Sequence, residues 1–223
     1  MQISSVLNDI KVTAIKTGML CDKENTKAVV RALQIHYSNS TIPPLVCDPV
    51  CVSTSGHSLL NPDAVEVMIK DLFPRASLIT PNRAEAELLL THLTDGRTTQ
   101  EKHKIDSLES MLAAARDLLL FGSKAVLLKG GHITARAGDV ARLCALYPNI
   151  QSVNDFVYNE NMEILREHGG NLTETVVIDI LCEKDGGVTV FCRPRIDSTS
   201  THGTGCTLSS AIASELARGL SCT

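Results

Sequence analysis

What most limits how this 223-residue chain can fold is a unit that repeats along it: a short aliphatic, β-branched run, a turn, then apolar residues at helical spacing. The first run, residues 11–16, is closed by Thr17-Gly18 and followed by a helical pattern with Val29, Val30 and Leu33 on one face. The second, Pro44-Leu45-Val46-Cys47, ends at Asp48-Pro49, where proline offers no N–H to a ladder. Asn61-Pro62-Asp63 predicts a helix start capped by Asn61, after which Val65, Met68, Ile69 and Leu72 recur at helical spacing. The third run, residues 76–80, ends at Pro81-Asn82, and Glu85 falls in the first turn of the next helix.

Asp106-Ser107-Leu108-Glu109 predicts a capping box. The helix it opens carries a stripe of Leu108, Met111, Leu112, Ala115, Leu118 and Leu119 and stops at Gly122. A strand over 124–129 runs into Gly130-Gly131-His132. Two further runs, 176–182 and 188–192, flank Asp185-Gly186-Gly187, a hairpin signal. The last helix begins near Gly205, with Leu208, Ala211, Ile212 and Leu216 on one side. Apolar strands alternating with helices predict an α/β fold: a mostly parallel sheet covered on both faces, with the late hairpin as an antiparallel edge. Residues 135–175 show no clean period and read as a surface insertion in a single domain spanning 1–223.

Composition removes several classes of function. With 21 basic and 25 acidic residues the net charge is −4, without the basic surface that nucleic acid demands. No apolar run approaches the ~20 residues of a membrane span, and residues 1–10 lack the basic and apolar regions of a signal peptide. The eight cysteines are scattered and form no C-x-x-C pair, which fits buried free thiols in a reducing, cytoplasmic setting. At 3% aromatic residues and no Trp, the core must rest on Leu, Val, Ile and Ala.

In an open α/β sheet, ligands bind beyond the carboxyl ends of the strands. The polar residues there are Asp48, Thr80, Asn82, Glu85, Lys129 and His132. Singly, each has an ordinary explanation as a turn former, a helix cap or a solvated lysine; together, Asp48, Asn82 and Glu85 make a set able to hold Mg²⁺ and water. The sharpest segment is Thr201-His202-Gly203-Thr204-Gly205-Cys206-Thr207, directly before an amphipathic helix. Its glycines let several N–H groups face one point while the helix start adds positive potential, an anion hole suited to a transferring phosphoryl group. Cys206 sits in the first turn, where a thiolate is favoured. Lys129-Gly130-Gly131 has a similar logic. The P-loop, dinucleotide and nucleophile-elbow motifs are all missing from the sequence.

Six blocks in order resemble the hydroxymethylpyrimidine and phosphomethylpyrimidine kinases of thiamine biosynthesis, a ribokinase-like family. They are K-T-G-M-L at 16–20, D-P-V-C-V-S-T-S-G at 48–56, T-P-N-R-A-E-A-E at 80–87, V-L-L-K-G-G-H at 126–132, V-I-D-I-L at 177–181 and H-G-T-G-C-T-L-S-S-A-I at 202–212. The resemblance implies a three-layer α/β/α fold and ATP- and Mg²⁺-dependent phosphorylation of 4-amino-5-hydroxymethyl-2-methylpyrimidine and then of its monophosphate. It implies Cys206 as proton acceptor, with the backbone of Gly203, Thr204 and Gly205 cradling the phosphoryl group. Lys129, Asn82, Thr80 and Gly131 would face ATP, Asp48 and Glu85 the metal, and Met19 and Val52 the pyrimidine. It implies further that a strand–turn–helix unit preceding this chain belongs centrally in the sheet, leaving its neighbours unpaired, that closing helices follow the chain, and that the protein forms a homodimer. Two other readings stay open: a non-catalytic nucleotide-binding fragment, and a pyridoxal kinase-like activity.

Overall fold

The structure is a computed structural model and describes residues 2–51, 60–93, 104–147, 149–154, 175–194 and 203–221. After an opening helix α1 (Gln2–Asp9), chain order gives β1 (Ile15–Thr17), α2 (Lys23–His36), β2 (Leu45–Cys47), α3 (Pro62–Val67), β3 (Leu78–Ile79), α4 (Arg83–Leu90), α5 (Leu108–Leu118) and β4 (Ala125–Arg136). Then come α6 (Ala137–Leu146), β5 (Ile150–Asn154), β6 (Thr175–Glu183), β7 (Val188–Pro194) and the final helix α7 (Thr204–Ala217). Among the described residues no helix is long and apolar enough to cross a membrane.

One seven-stranded sheet runs β1-β2-β3-β4-β6-β7-β5. The first four strands are parallel neighbours, β6 is antiparallel to both β4 and β7, and β5 is parallel to β7. The hairpin around Gly186, whose φ is +99°, is therefore interior rather than an edge: β5 covers its outer strand. Nor is the sheet broken in the middle. Every neighbouring pair of described strands is hydrogen-bonded, and the two edges are β1 and β5. The stretch read as a surface insertion opens as regular structure, since β4 extends to Arg136 and α6 and β5 follow. Val140 and Leu143 anchor α6 on the core, a pair too short to announce a period. Its residues 155–174 lie outside the described ones.

Alternation along the strands divides the sheet's two faces. Leu45, Cys47, Ile79, Val126, Leu128, Ile178 and Ile180 point into the larger core, beneath α2 to α6. Val46, Leu78, Ala125, Leu127 and Leu181 point the other way, against Ala213 of α7. Burying each leucine, valine or isoleucine among them supplies about 1.5–3 kcal/mol. Local signals place the helices with two adjustments. Asn61 occupies the cap position of α3 but makes no side-chain cap bond, and the helix relaxes into a π-helical turn at Met68–Leu72 and a 3-10 turn at Phe73–Arg75. The box opening α5 pairs Ser107 with Ser110, not Asp106 with Glu109, because the residue that starts the helix sets which position lies three further on. Gly122, at φ +96°, ends the 3-10 turn that follows α5.

Candidate active site

Because positions alternate, the α7-facing row that is apolar at Val46, Leu78 and Leu127 becomes polar two residues later, at Asp48, Thr80 and Lys129. The strand ends thus bring three groups, far apart in sequence, to one place. Asp48 is 2% exposed, and Oδ1 accepts from Lys129 Nζ at 3.1 Å and from Thr80 Oγ1 at 3.2 Å. Oδ2 lies 3.3 Å from Ser209 Oγ, a fully buried hydroxyl on α7. The aspartate is therefore held by one charge-assisted bond and two hydroxyls, the satisfaction that burying a carboxylate requires.

Lys129 leaves the end of the parallel ladder, with its N–H on the Pro81 carbonyl at 2.9 Å and a backbone bridge to Asn82. Its ammonium reaches across to Asp48 and passes over Gly205, close enough that a Cβ there would lie 3.0 Å from Nζ. Gly203 caps α7 with φ +81°, a left-handed turn natural for glycine, which aims the first amides of the helix outward. Cys206 is exposed in that first turn.

Asn82 and Glu85 form the capping box of α4. Glu85 N donates to Asn82 Oδ1 at 2.9 Å, and Asn82 N donates to Glu85 Oε2 at 2.8 Å. The Cys51 N–H also donates to the Glu85 carboxylate. Glu85 is 3% exposed, and burial pushes its carboxyl above the ordinary range despite the amides and Lys129 nearby. Between Asp48 and Cys51 the chain passes Val50 at φ +42°, a β-branched residue in the left-handed region, so the turn after β2 is strained by about 1–3 kcal/mol. The thiol of Cys47, behind this turn, is pushed up to about 12 by burial.

Of the residues singled out from the sequence, Asp48, Thr80, Lys129 and the 203–206 turn meet directly, with Asn82 and Glu85 beside them. Thr80 is fully buried and touches Asp48, which makes it a support for the carboxylate. Gly131 is exposed at φ +47°. Met19 is 53% exposed beyond the end of β1, whose Thr17 carbonyl accepts from Asp48 N–H at 3.0 Å. Val52 and His202 lie outside the described residues. Two participants were absent from the sequence-derived set: Ser209 and Asp179, whose Oδ1 accepts from Gly130 N at 2.8 Å. Both stood inside quoted motifs, but only register on a strand or helix turns them toward the site.

A mostly parallel sheet whose polar strand ends meet a glycine-capped helix start is the architecture of the ribokinase-like α/β proteins. The chain matches the family described as phosphomethylpyrimidine kinase over residues 1–167 and 160–223. It is 34% identical over 212 residues to the hydroxymethylpyrimidine/phosphomethylpyrimidine kinase of Salmonella typhimurium, covering 95% of this chain and 59% of that one. A crystal structure of phosphomethylpyrimidine kinase from Clostridium difficile superposes with a TM-score of 0.63 at 31% identity, over 99% of this chain and 67% of that one. The pyridoxal kinase of Staphylococcus aureus in complex with AMP-PCP superposes at 0.65 and 26% identity, over 99% and 60% of the two chains. This chain belongs to the phosphomethylpyrimidine kinase family. It spans about 59% of the length of the Salmonella relative.

Proposed function

We propose that the chain carries the phosphoryl-transfer site of an ATP-dependent kinase acting on 4-amino-5-hydroxymethyl-2-methylpyrimidine and on its monophosphate. One observation carries the reading: the opening turn of α7 is tied through Ser209 and Lys129 to Asp48 at the ends of neighbouring strands. Backbone amides, a helix start and a lysine there face the place where a nucleotide's terminal phosphate would sit. Transfer of this kind works through positioning and charge stabilisation, which such a site supplies. The acceptor hydroxyl oxygen bonds to the γ-phosphorus, the bond to the β,γ-bridging oxygen breaks, and the hydroxyl proton passes to the sulfur of Cys206.

Asp48 and Glu85 are the residues that would hold Mg²⁺, through water, since their carboxylates already accept protein hydrogen bonds. Hard oxygen donors and retained water suit this cation, and among the described residues no cluster of three or more His, Cys, Asp or Glu forms a cage. When bound, the ion would neutralise phosphate charge.

The test is ADP release from Mg·ATP with and without the hydroxymethylpyrimidine, together with nucleotide affinity by calorimetry. Pyrimidine-dependent release that disappears in Cys206→Ala, with ATP affinity kept, supports the reading; unchanged turnover in that variant overturns the role of Cys206. ATP binding without pyrimidine-dependent release would mark a nucleotide-binding fragment instead. The likeness to a pyridoxal kinase makes pyridoxal the competing acceptor to include.

A further inference from the structure

The motif V-I-D-I-L contributes one polar residue, Asp179, which the reaction above leaves without a part. Asp179 lies on β6 directly opposite Lys129 in the antiparallel ladder. Beyond this pair the register shifts. The next pair is Thr134 with Val177, so Gly130, Gly131, His132 and Ile133 of β4 are opposed by Ile178 alone. The bulge begins where Lys129 leaves the ladder. Gly130 is pressed so tightly against β6 that a Cβ there would collide with the Ile178 carbonyl oxygen. Its N–H finds the side chain of Asp179 at 2.8 Å.

We propose that Asp179 is a positioning residue: by holding the Gly130 N–H it fixes the bulged turn of β4 and thereby the reach of Lys129 to Asp48 and to the start of α7. Three features converge on this. Bulges leave amides unpaired and re-aim the neighbouring side chain, and here the amide is claimed by the residue facing the lysine. Gly131 follows at φ +47°, one of several conformations open to glycine at little cost, so the bulged turn needs a specific contact to fix it. Asp179 also lines a largely apolar groove of about 470 Å³ between the sheet and α7, together with Leu181, Arg193 and Glu215. A carboxylate in such surroundings is costly unless a specific donor needs it.

The inference rests on the assignment of Lys129 to the nucleotide phosphates, and its test separates the two. Asp179→Asn keeps an acceptor and Asp179→Ala removes it. Expected for Asp179→Ala is a rise of tenfold or more in KM for ATP, with KM for the pyrimidine within twofold; Asp179→Asn stays within threefold of the wild type on both. A purely structural role would lower the active fraction, and hence kcat, while leaving both KM values in place, and that result overturns the proposal. Hydrogen exchange at the Gly130 amide, followed by NMR without nucleotide, gives a readout independent of activity. Slow exchange in the wild type and in Asp179→Asn, faster by tenfold or more in Asp179→Ala, supports the clamp; equal exchange in all three overturns it. If the wild type turns over no pyrimidine, the kinase reading fails while the exchange result still decides the clamp.

Discussion

Ser209 Oγ lies 3.3 Å from Asp48 Oδ2 and 3.1 Å from the Cys206 carbonyl oxygen, so a single hydroxyl proton is shared between the strand-end carboxylate and the first turn of α7. The hydroxyl is fully buried, so water cannot take its place. Ser209→Ala leaves one buried acceptor unmatched, at about 1–3 kcal/mol. At about 2–4 °C per kcal/mol for a chain of this size, thermal melting should fall by roughly 2–12 °C. Turnover should fall with it, because the helix start loses its tether to Asp48. Melting and turnover both equal to wild type would show the contact to be idle.

In the Asp48–Lys129 pair the aspartate is buried and the lysine half-buried, at 3% and 14% side-chain exposure. Removing one partner from such a pair is worth about 3–5 kcal/mol, because the remaining charge stays out of water. Lys129→Met should therefore be severe, whereas Asp48→Asn is milder, since a freed lysine can turn toward solvent. Adding Asp48→Asn to Lys129→Met should restore stability. A double-mutant cycle by urea denaturation is expected to give a coupling above about 2 kcal/mol; additive effects would mean the pair is already solvated.

Gly205 separates stability from chemistry. It sits in the first turn of α7, and alanine is the better helix former by about 1 kcal/mol. Its Cβ would stand 3.0 Å from Lys129 Nζ, so the ammonium must withdraw. Gly205→Ala should melt at or slightly above the wild-type temperature while losing ATP affinity severalfold by calorimetry. Loss of both together would place the effect in the backbone rather than at the lysine.

Much of this site was legible because it lies where apolar runs stop. Asp48, Thr80, Asn82 and Lys129 each end a β-branched run, and the parallel sheet aligns those ends. Asn82 and Glu85 follow the spacing of a capping box, and the structure holds them in one. Ser209 and Asp179 were not legible for the opposite reason: each lies inside an element, with only its register turning it toward the site. β5 was lost in the same way, since a five-residue edge strand pairing with a later strand has no local signature. The hairpin was visible from its glycines, but its place inside the sheet depended on that unseen partner.

Asp179 also predicts a pH dependence whose sign follows from its surroundings. Burial raises its carboxyl above the ordinary range, and the Gly130 amide, Lys129 and Arg193 pull the other way without prevailing. The folded state therefore binds this proton more tightly than the unfolded chain does. Stability from the group is complete below the unfolded carboxyl value of about 3.9 and declines as pH rises through the folded value. Asp179→Asn keeps the acceptor for Gly130 and removes the titration. The melting temperature of the variant, minus that of the wild type, should be smallest near pH 3.5 and grow as the pH is raised, then level off once the carboxyl is ionised. Differential scanning calorimetry across that range checks it. A difference that shrinks with rising pH would mean that Lys129, Arg193 and the Gly130 amide outweigh desolvation, and that the carboxylate is held as a favourable charge.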